Sequence, residues 1–311
     1  MDFMQRLWQR IAAALAAAYL FLNGGMLLAL PAQQTSPPAA TSPATSPASG
    51  ASAATPAAPR QPRAKTEEEF AEYQRFMRET RTDEQIQLIE DFLLHFPDSE
   101  LREYAFQAAT QAFQAKNDFS SLLTYGELTL GENEDNLVAL LILASAIPER
   151  TNRSDPERDE NLALAETYAQ RILDLLPRMP QPAGVTPVRW EQTKREAAAT
   201  SHASLGMVSL IREDFLRAET EFKRATDLAS SPDPVTFYRL GLSYSFQKKY
   251  DQAIEALDRA ASVGGVKVSS PDGLARDLVA EAKDFVLKSR EASGGSGSDT
   301  APPQPAEAPA P

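Results

Sequence analysis

The segment "LGLSYSFQKKYDQAIEALDRA", Leu240 to Ala260, carries two helical periods separated by a short polar break. Phe237, just ahead of it, falls on one helical face with Leu240, Gly241 and Tyr244; Tyr250, Ala253, Leu257 and Ala260 share a face after Gln247-Lys248-Lys249. Two antiparallel helices joined by a tight turn follow. Gly241 costs such a helix about 1 kcal/mol relative to alanine, so its place needs a packing reason. Gly241 and Ala253 together let two backbones approach closely, and Tyr244, Tyr250 and Leu257 fill the volume beside that contact.

The pattern recurs upstream in "LGMVSLIREDFLRAETEFKRA", Leu205 to Ala225, with Leu205 to Leu240 and Ala218 to Ala253 each 35 positions apart. Weaker copies run through Phe106, Ala109, Phe113, Phe119 and Leu122, and through Leu140, Leu143, Ala144 and Ile147, with Ala109 to Leu143 a step of 34. Tyr73 and Phe76, then Ile86, Ile89 and Phe92, make the earliest pair. Repeats of this length imply stacked units, none able to bury its apolar face alone.

These residues resemble a tetratricopeptide repeat. Phe237, Leu240, Gly241, Tyr244, Ala253, Leu257 and Ala260 carry the best copy, spanning 235–264, and Leu205, Gly206, Ala218, Phe222 and Ala225 the second, spanning 200–230. Pro97, Pro177 and Pro232 stand near where this family ends its second helix, a position that tolerates proline because the helix is finished. The resemblance implies an all-α solenoid of five stacked hairpins over residues 65–290. A capping helix, "LARDLVAEAKDFVLKSRE", is expected within 271–290, with Leu274, Leu278 and Phe285 covering the apolar end. Two insertions, "ERTNRSDPERDE" and "RMPQPAGVTPV", interrupt the regular spacing around 148–190, and a long helix is expected from about Arg189 to Ile211. "DFLLHFPDSELREYAF", from Asp91, also resembles repeat junctions in bacterial envelope proteins of this class.

The ends of the chain differ in kind. Arg6 and Arg10 precede an apolar run from Ile11 to Leu30 that closes on Leu-Pro-Ala, which predicts an export signal over 1–32 cleaved after Ala32. The alternative is an anchor kept in the inner membrane through residues 11–30, since the run nearly spans a bilayer. Residues 33–64 are almost wholly Pro, Ala, Ser and Thr, without an apolar period to offset the entropy of ordering them, so a disordered linker is expected. Residues 291–311 form a second such tail by the same argument.

Composition narrows the function. A net charge of −12, from 43 acidic and 31 basic residues, opposes nucleic-acid binding, which needs a positive field over phosphates. With no cysteine and only His95 and His202, thiolate chemistry is absent, and neither a metal nor a cofactor site is expected. His95 falls in the last turn of a helix, where an imidazole favours the dipole; His202 replaces Phe237 of the next repeat and is expected to pack between helices. The acids of "RSDPERDE" lack the alternation, central Gly and closing Glu of a calcium loop. Surface recognition of a protein or peptide remains. The resemblance implies that first helices line the concave side, so the groove candidates are Gln107, Gln111, Leu141, Ser145, Ala203, Met207, Tyr238, Leu242 and Ser245. That set is neutral and apolar and lacks the Lys and Asn positions by which chaperone-binding relatives hold a carboxyl terminus; a segment with apolar anchors fits it better. The expectation is a non-catalytic interaction scaffold outside the cytoplasm in the bacterial envelope. The alternatives are a membrane-anchored assembly factor or a self-associating structural subunit.

Overall fold

The computed structural model describes residues 63–152, 154–182, 184–269 and 275–293. The expected export signal or anchor, the linker up to residue 62, Leu274 and the tail beyond Ser293 lie outside the described residues.

Five helical hairpins follow one another: α1 (Glu67–Arg78) with α2 (Thr82–His95), α3 (Arg102–Ala115) with α4 (Phe119–Glu132), α5 (Leu137–Arg150) with α6 (Arg158–Leu175), α7 (Pro187–Ile211) with α8 (Phe215–Leu228), and α9 (Pro234–Phe246) with α10 (Tyr250–Ser262). Their starts are written into the sequence as side chains that satisfy otherwise orphaned amides. Thr66 accepts from the Glu69 amide, Asp118 from Ser121, Asn136 from Ala139, Thr186 from Arg189, Asp214 from Arg217 and Asp233 from Val235. Pro187 and Pro234 occupy the first helical turn, where a missing N–H costs nothing. Pro97, Pro177 and Pro232 each follow the end of a second helix.

In four hairpins the turn is three residues long: 79–81, 116–118, 212–214 and 247–249. The last three of these put their middle residue in the left-handed region, Asn117 at φ 56°, Glu213 at φ 65° and Lys248 at φ 62°. The amides after them reach back five residues, Asp118 to Phe113, Asp214 to Ser209 and Lys249 to Tyr244, each at 2.9 or 3.0 Å. This is the Schellman closure, which uses carbonyls that the helix end would otherwise strand.

The packing reason for the two helical glycines is direct. A Cβ on Gly206 would lie 2.7 Å from the ring of Phe222, and one on Gly241 would lie 2.8 Å from Leu257 Cγ and 3.3 Å from the Ala253 carbonyl oxygen. In the second hairpin Thr110 stands at the equivalent place, six residues before the turn, fully buried. There the small residue is on the other helix: Gly126 of α4 leaves room for Leu143, which a Cβ would meet at 2.7 Å.

A continuous core runs through the stack, from Phe76, Ile89 and Phe92 to Leu257 and Ala260. The first insertion joins α5 to α6. The second precedes α7, 25 residues long, whose N-terminal half packs with α5 and α6 in a separate small core of Leu140, Ala144, Ile172, Leu175 and Ala197.

The C-terminal cap departs from expectation. Residues Lys267–Ser269 (β1) and Ala275–Asp277 (β2) pair antiparallel, and α11 runs only from Leu278 to Ala292. Asp277 caps it, accepting from the Val279 and Ala280 amides, and the Leu278 amide donates to the Val266 carbonyl at 2.9 Å. The buried residues of α11 are Leu278, Val279 and Val286, while Phe285 is partly buried against the core. Among the described residues no helix is long and apolar enough to cross a membrane.

Candidate functional site

First helices pack on the first helices of neighbouring hairpins, α3 with α5, α5 with α7 and α7 with α9, whereas the second helices α6 and α8 meet through the Glu166–Arg217 ion pair. The first helices therefore lie on the inner side of the curve. The shared three-residue turn gives a common ruler for that surface. Counting back from it, Phe70, Gln107, Ala203 and Tyr238 are equivalent, as are Gln74, Gln111, Met207 and Leu242, and again Met77, Gln114, Leu210 and Ser245.

Along this ruler, exposure falls from the first hairpin to the fifth. Phe70 and Met77 are 47% and 48% exposed. Gln74, Gln107, Gln111, Leu141, Ser145 and Ala203 are half-buried. Met207, Tyr238, Leu242 and Ser245 are buried, at 3%, 3%, 5% and 8%. Four of the nine expected groove residues are thus packing residues. Tyr238 illustrates why: Arg276 of β2 and Glu281 of α11 lie near it, and burial pushes its phenol up to about 12. No sequence signal shows that the cap reaches α9.

The remaining candidates make specific contacts. Asn136, besides capping α5, donates from Nδ2 to Gln107 Oε1 at 2.9 Å and to Glu103 Oε1 at 2.7 Å. Ser145 Oγ is 3.3 Å from Ser204 Oγ, joining α5 to α7. Phe70 and Met77 are not among the expected residues. The equal turn length would have found them, because it aligns Phe70 with Gln107. Around Phe70 the first hairpin presents an aromatic cluster: Tyr73 stacks on Phe70 with ring centres 6.4 Å apart and meets Tyr104 at 6.2 Å. Burial raises the pKa of both tyrosines.

Both histidines carry an acid that sequence spacing does not reveal. His95 Nδ1 is 3.2 Å from Glu72 Oε2 at an exposed edge. His202 Nδ1 is 2.7 Å from Glu221 Oε2, across the α7–α8 hairpin, with both side chains nearly buried. Burial would raise the Glu221 pKa, but the hydrogen bond and charge of His202, with Arg224 and Arg217, hold it below the usual carboxylate range. Each pair joins the two helices of its own hairpin, α1 with α2 and α7 with α8.

Outside the inner surface, an open recess of about 670 Å³ on α6 is lined by Glu134, Asp135, Glu166, Arg171, Asp174 and Arg178. Four of its charges are paired: Arg171 meets Asp135 at 2.6 Å and Glu134 at 3.1 Å, and Glu166 is held by Arg212 and Arg217. Among the described residues no group of three or more His, Asp or Glu is placed to hold a metal ion.

No family model matches the chain, and no curated protein sequence matches it. The solved structures similar to it include the following three. A thermophilic TPR protein of Thermus thermophilus, TTC0263, shares 17% identity over 72% of this chain and 95% of its own, with a TM-score of 0.42. PilW, described as a widely conserved type IV pilus biogenesis factor, shares 15% over 75% and 96%, with a TM-score of 0.46. The APC/C hetero-tetramer Cut9–Hcn1 shares 15% over 72% and 49%, with a TM-score of 0.32. By its own geometry, five successive helical hairpins among the described residues, the last two with matching glycine contacts 35 positions apart, the chain is a tetratricopeptide-like helical solenoid.

Proposed function

We propose that this protein is a non-catalytic interaction scaffold that acts outside the cytoplasm, in the cell envelope, and takes a partner segment along the first three hairpins. The observation that carries this reading is the fall in exposure along the inner surface. Among the described residues, the first hairpin offers large exposed apolar side chains, Phe70 and Met77, beside neutral amides, Gln74, Gln107 and Gln111, that are still reachable. Such a surface suits an extended or helical segment with two or three apolar anchors and little charge. The envelope location rests on Arg6, Arg10 and the apolar run Ile11 to Leu30.

A photo-crosslinking residue placed at Gln107 in the full chain, compared with one at exposed Glu127 of α4, tests the groove. Adducts to a partner peptide are expected at Gln107 only, reduced about tenfold by Phe70→Ala with Met77→Ala, a loss in keeping with two anchor residues. Equal adducts at both positions would overturn the assignment. Adducts to the protein's own chain would replace it with the self-associating subunit. For location, mass spectrometry of the mature N-terminus distinguishes cleavage, with Gln33 first, from an anchor that retains Met1.

A further inference from the structure

One ion pair skips a whole hairpin. Arg239 Nη2 of α9 lies 2.5 Å from Glu149 Oε1 of α5, 90 residues away, with the α7–α8 hairpin between them in the stack. Both side chains are buried, 10% and 8% exposed. The other salt bridges among the described residues join residues close in sequence or elements of the same or adjacent units of the stack, as Lys116–Asp83 and Arg171–Asp135 do.

As a stabiliser the pair is poorly made. Glu149 Oε2 and Arg239 Nε are buried and have no hydrogen-bond partner among the described residues. Orphaned polar atoms of this kind carry an uncompensated desolvation cost, and apolar residues in place of a buried ion pair are often neutral or better for stability. Its distinguishing property is reach. Between the two hairpins it joins, the end of α7 is itself held by Arg158 Nη2 donating to the Ile211 carbonyl at 2.8 Å. The Ser145–Ser204 contact ties α5 to α7 one turn earlier. On the same stretch of inner surface, Met207 and Leu242 are buried, whereas their equivalents Gln74 and Gln111 are not.

We infer that Glu149–Arg239 is a clasp: it ties the third hairpin directly to the fifth and keeps the C-terminal half of the inner surface closed. Its meaning for partner uptake rests on the groove reading above, because a closed second half limits a partner segment to the first three hairpins. The tie itself is independent of any partner. A link between non-adjacent repeats also makes that part of the stack two-state, since one bond fixes the angles of two successive hairpin interfaces together.

The absence of cysteine allows a clean test. Spin labels on Ser120→Cys of α4 and Ala261→Cys of α10, both exposed, report the distance between the second and fifth hairpins in the full chain by pulsed electron resonance. With the clasp intact, one narrow distribution is expected. Glu149→Ala with Arg239→Ala removes both charges and their reach, and the distribution is expected to move to longer distance and broaden about twofold, as an interface freed from one of two states does. A folded double variant with the parental distribution would overturn the inference. The reversed pair, Glu149→Arg with Arg239→Glu, is expected to return the distribution toward the parent; a folded reversed pair that stays broad would count equally against it. Glu149→Gln, which keeps the volume, gives a second readout if the double variant fails to fold. Amide exchange in α9 is expected to quicken about tenfold with α4 unchanged, and an unchanged α9 would refute the clasp. Failure of partner capture in the crosslinking experiment leaves all of these distances unaffected, so the two ideas fail separately.

Discussion

The two ends of the inner surface are built from the same hairpin and put to opposite uses. At the position nine residues before the turn, Phe70 of the first hairpin is 47% exposed and Tyr238 of the fifth is 3% exposed. Both are aromatic, both lie on a first helix, and the hairpins that carry them have turns of equal length. The difference lies in what reaches them. Phe70 is left half open beside the ring of Tyr73, whereas β2 and α11 approach Tyr238 and the Glu149–Arg239 pair draws α9 toward α5. Local sequence therefore supplies the hairpin, and long-range contacts decide which hairpins keep a surface free.

The largest energetic contrast between the two ends is expected from truncating one residue in each. Arg239→Ala leaves the Glu149 carboxylate buried without its partner, and removing one member of a buried pair costs about 3–5 kcal/mol. Phe70→Ala touches an exposed position and should change stability by no more than about 0.5 kcal/mol. Urea unfolding of the two variants measures this. Similar losses for both would mean that the closed end is no more tightly built than the open one.

Alkaline pH addresses the same contrast through Tyr238. Its phenol is pushed up to about 12 by burial, while an unfolded tyrosine titrates near 10. Between those values the unfolded chain loses the proton and the native chain keeps it. Stability must then fall as pH rises, by about 1.4 kcal/mol per unit, or roughly 2–3 kcal/mol across the interval. Tyr238→Phe removes that contribution, so its stability should decline less steeply from pH 10 to 12 than that of the parent. Tyr73 at the open end is only raised by partial burial, and Tyr73→Phe should alter the slope less. Parallel slopes for the two variants would argue that Tyr238 is accessible after all.

Much of the architecture is legible because it repeats. Gly206 and Gly241 with Ala218 and Ala253 fix how closely two helices meet in the last two hairpins, and that requirement is visible there as an exact repeat of 35. The long α7, the two insertions and the prolines at helix ends follow from local chemistry as well. The groove is legible only in phase. Met207, Tyr238 and Leu242 stand at the right positions, but apolar residues at helical spacing look alike whether or not something covers them. What covers them depends on Glu149 and Arg239, separated by 90 residues, and on a cap whose strands have three residues each. Strands that short carry too little alternation to be read, although Val266 and Val268 are both buried. Asp277 is the available sign that α11 starts at Leu278, since its side chain caps the helix there; the apolar period alone carries that helix back to Leu274. His202 reads as a packing residue because Phe237 stands in its place one repeat later, and that substitution hides Glu221 across the turn.

A smaller effect is expected at the glycine contact of the fourth hairpin. Gly206→Ala gains about 1 kcal/mol of helix propensity, but its Cβ would sit 2.7 Å from Phe222, a fully buried ring with nowhere to move. Overpacking of a filled core costs about 1–3 kcal/mol, so a net loss of up to about 2 kcal/mol is expected by urea unfolding. Gly131, on α4 at the open end, has no atom within 4 Å of a built Cβ. Gly131→Ala should therefore stabilise by up to about 1 kcal/mol. Opposite signs at the two glycines would show that the contact, and not glycine itself, is what the repeat retains.

The smallest effect concerns the turns that both ends share. Glu213 and Lys248 hold φ 65° and 62°, where a residue with a Cβ is strained, while Asn117 in the second hairpin is of a type that tolerates this region. Glycine at the left-handed position relieves the strain but adds freedom to the unfolded chain, so the two effects partly cancel. Glu213→Gly and Lys248→Gly are each expected to gain at most about 1 kcal/mol, and Asn117→Gly less, because asparagine is already little strained there. Thermal unfolding of the three variants provides the ranking. If Asn117→Gly gained the most, the backbone strain would lie elsewhere than in the Cβ, and the equal turn length that aligns Gln107, Ala203 and Tyr238 would have to be kept by the Asp118, Asp214 and Lys249 amide bonds alone.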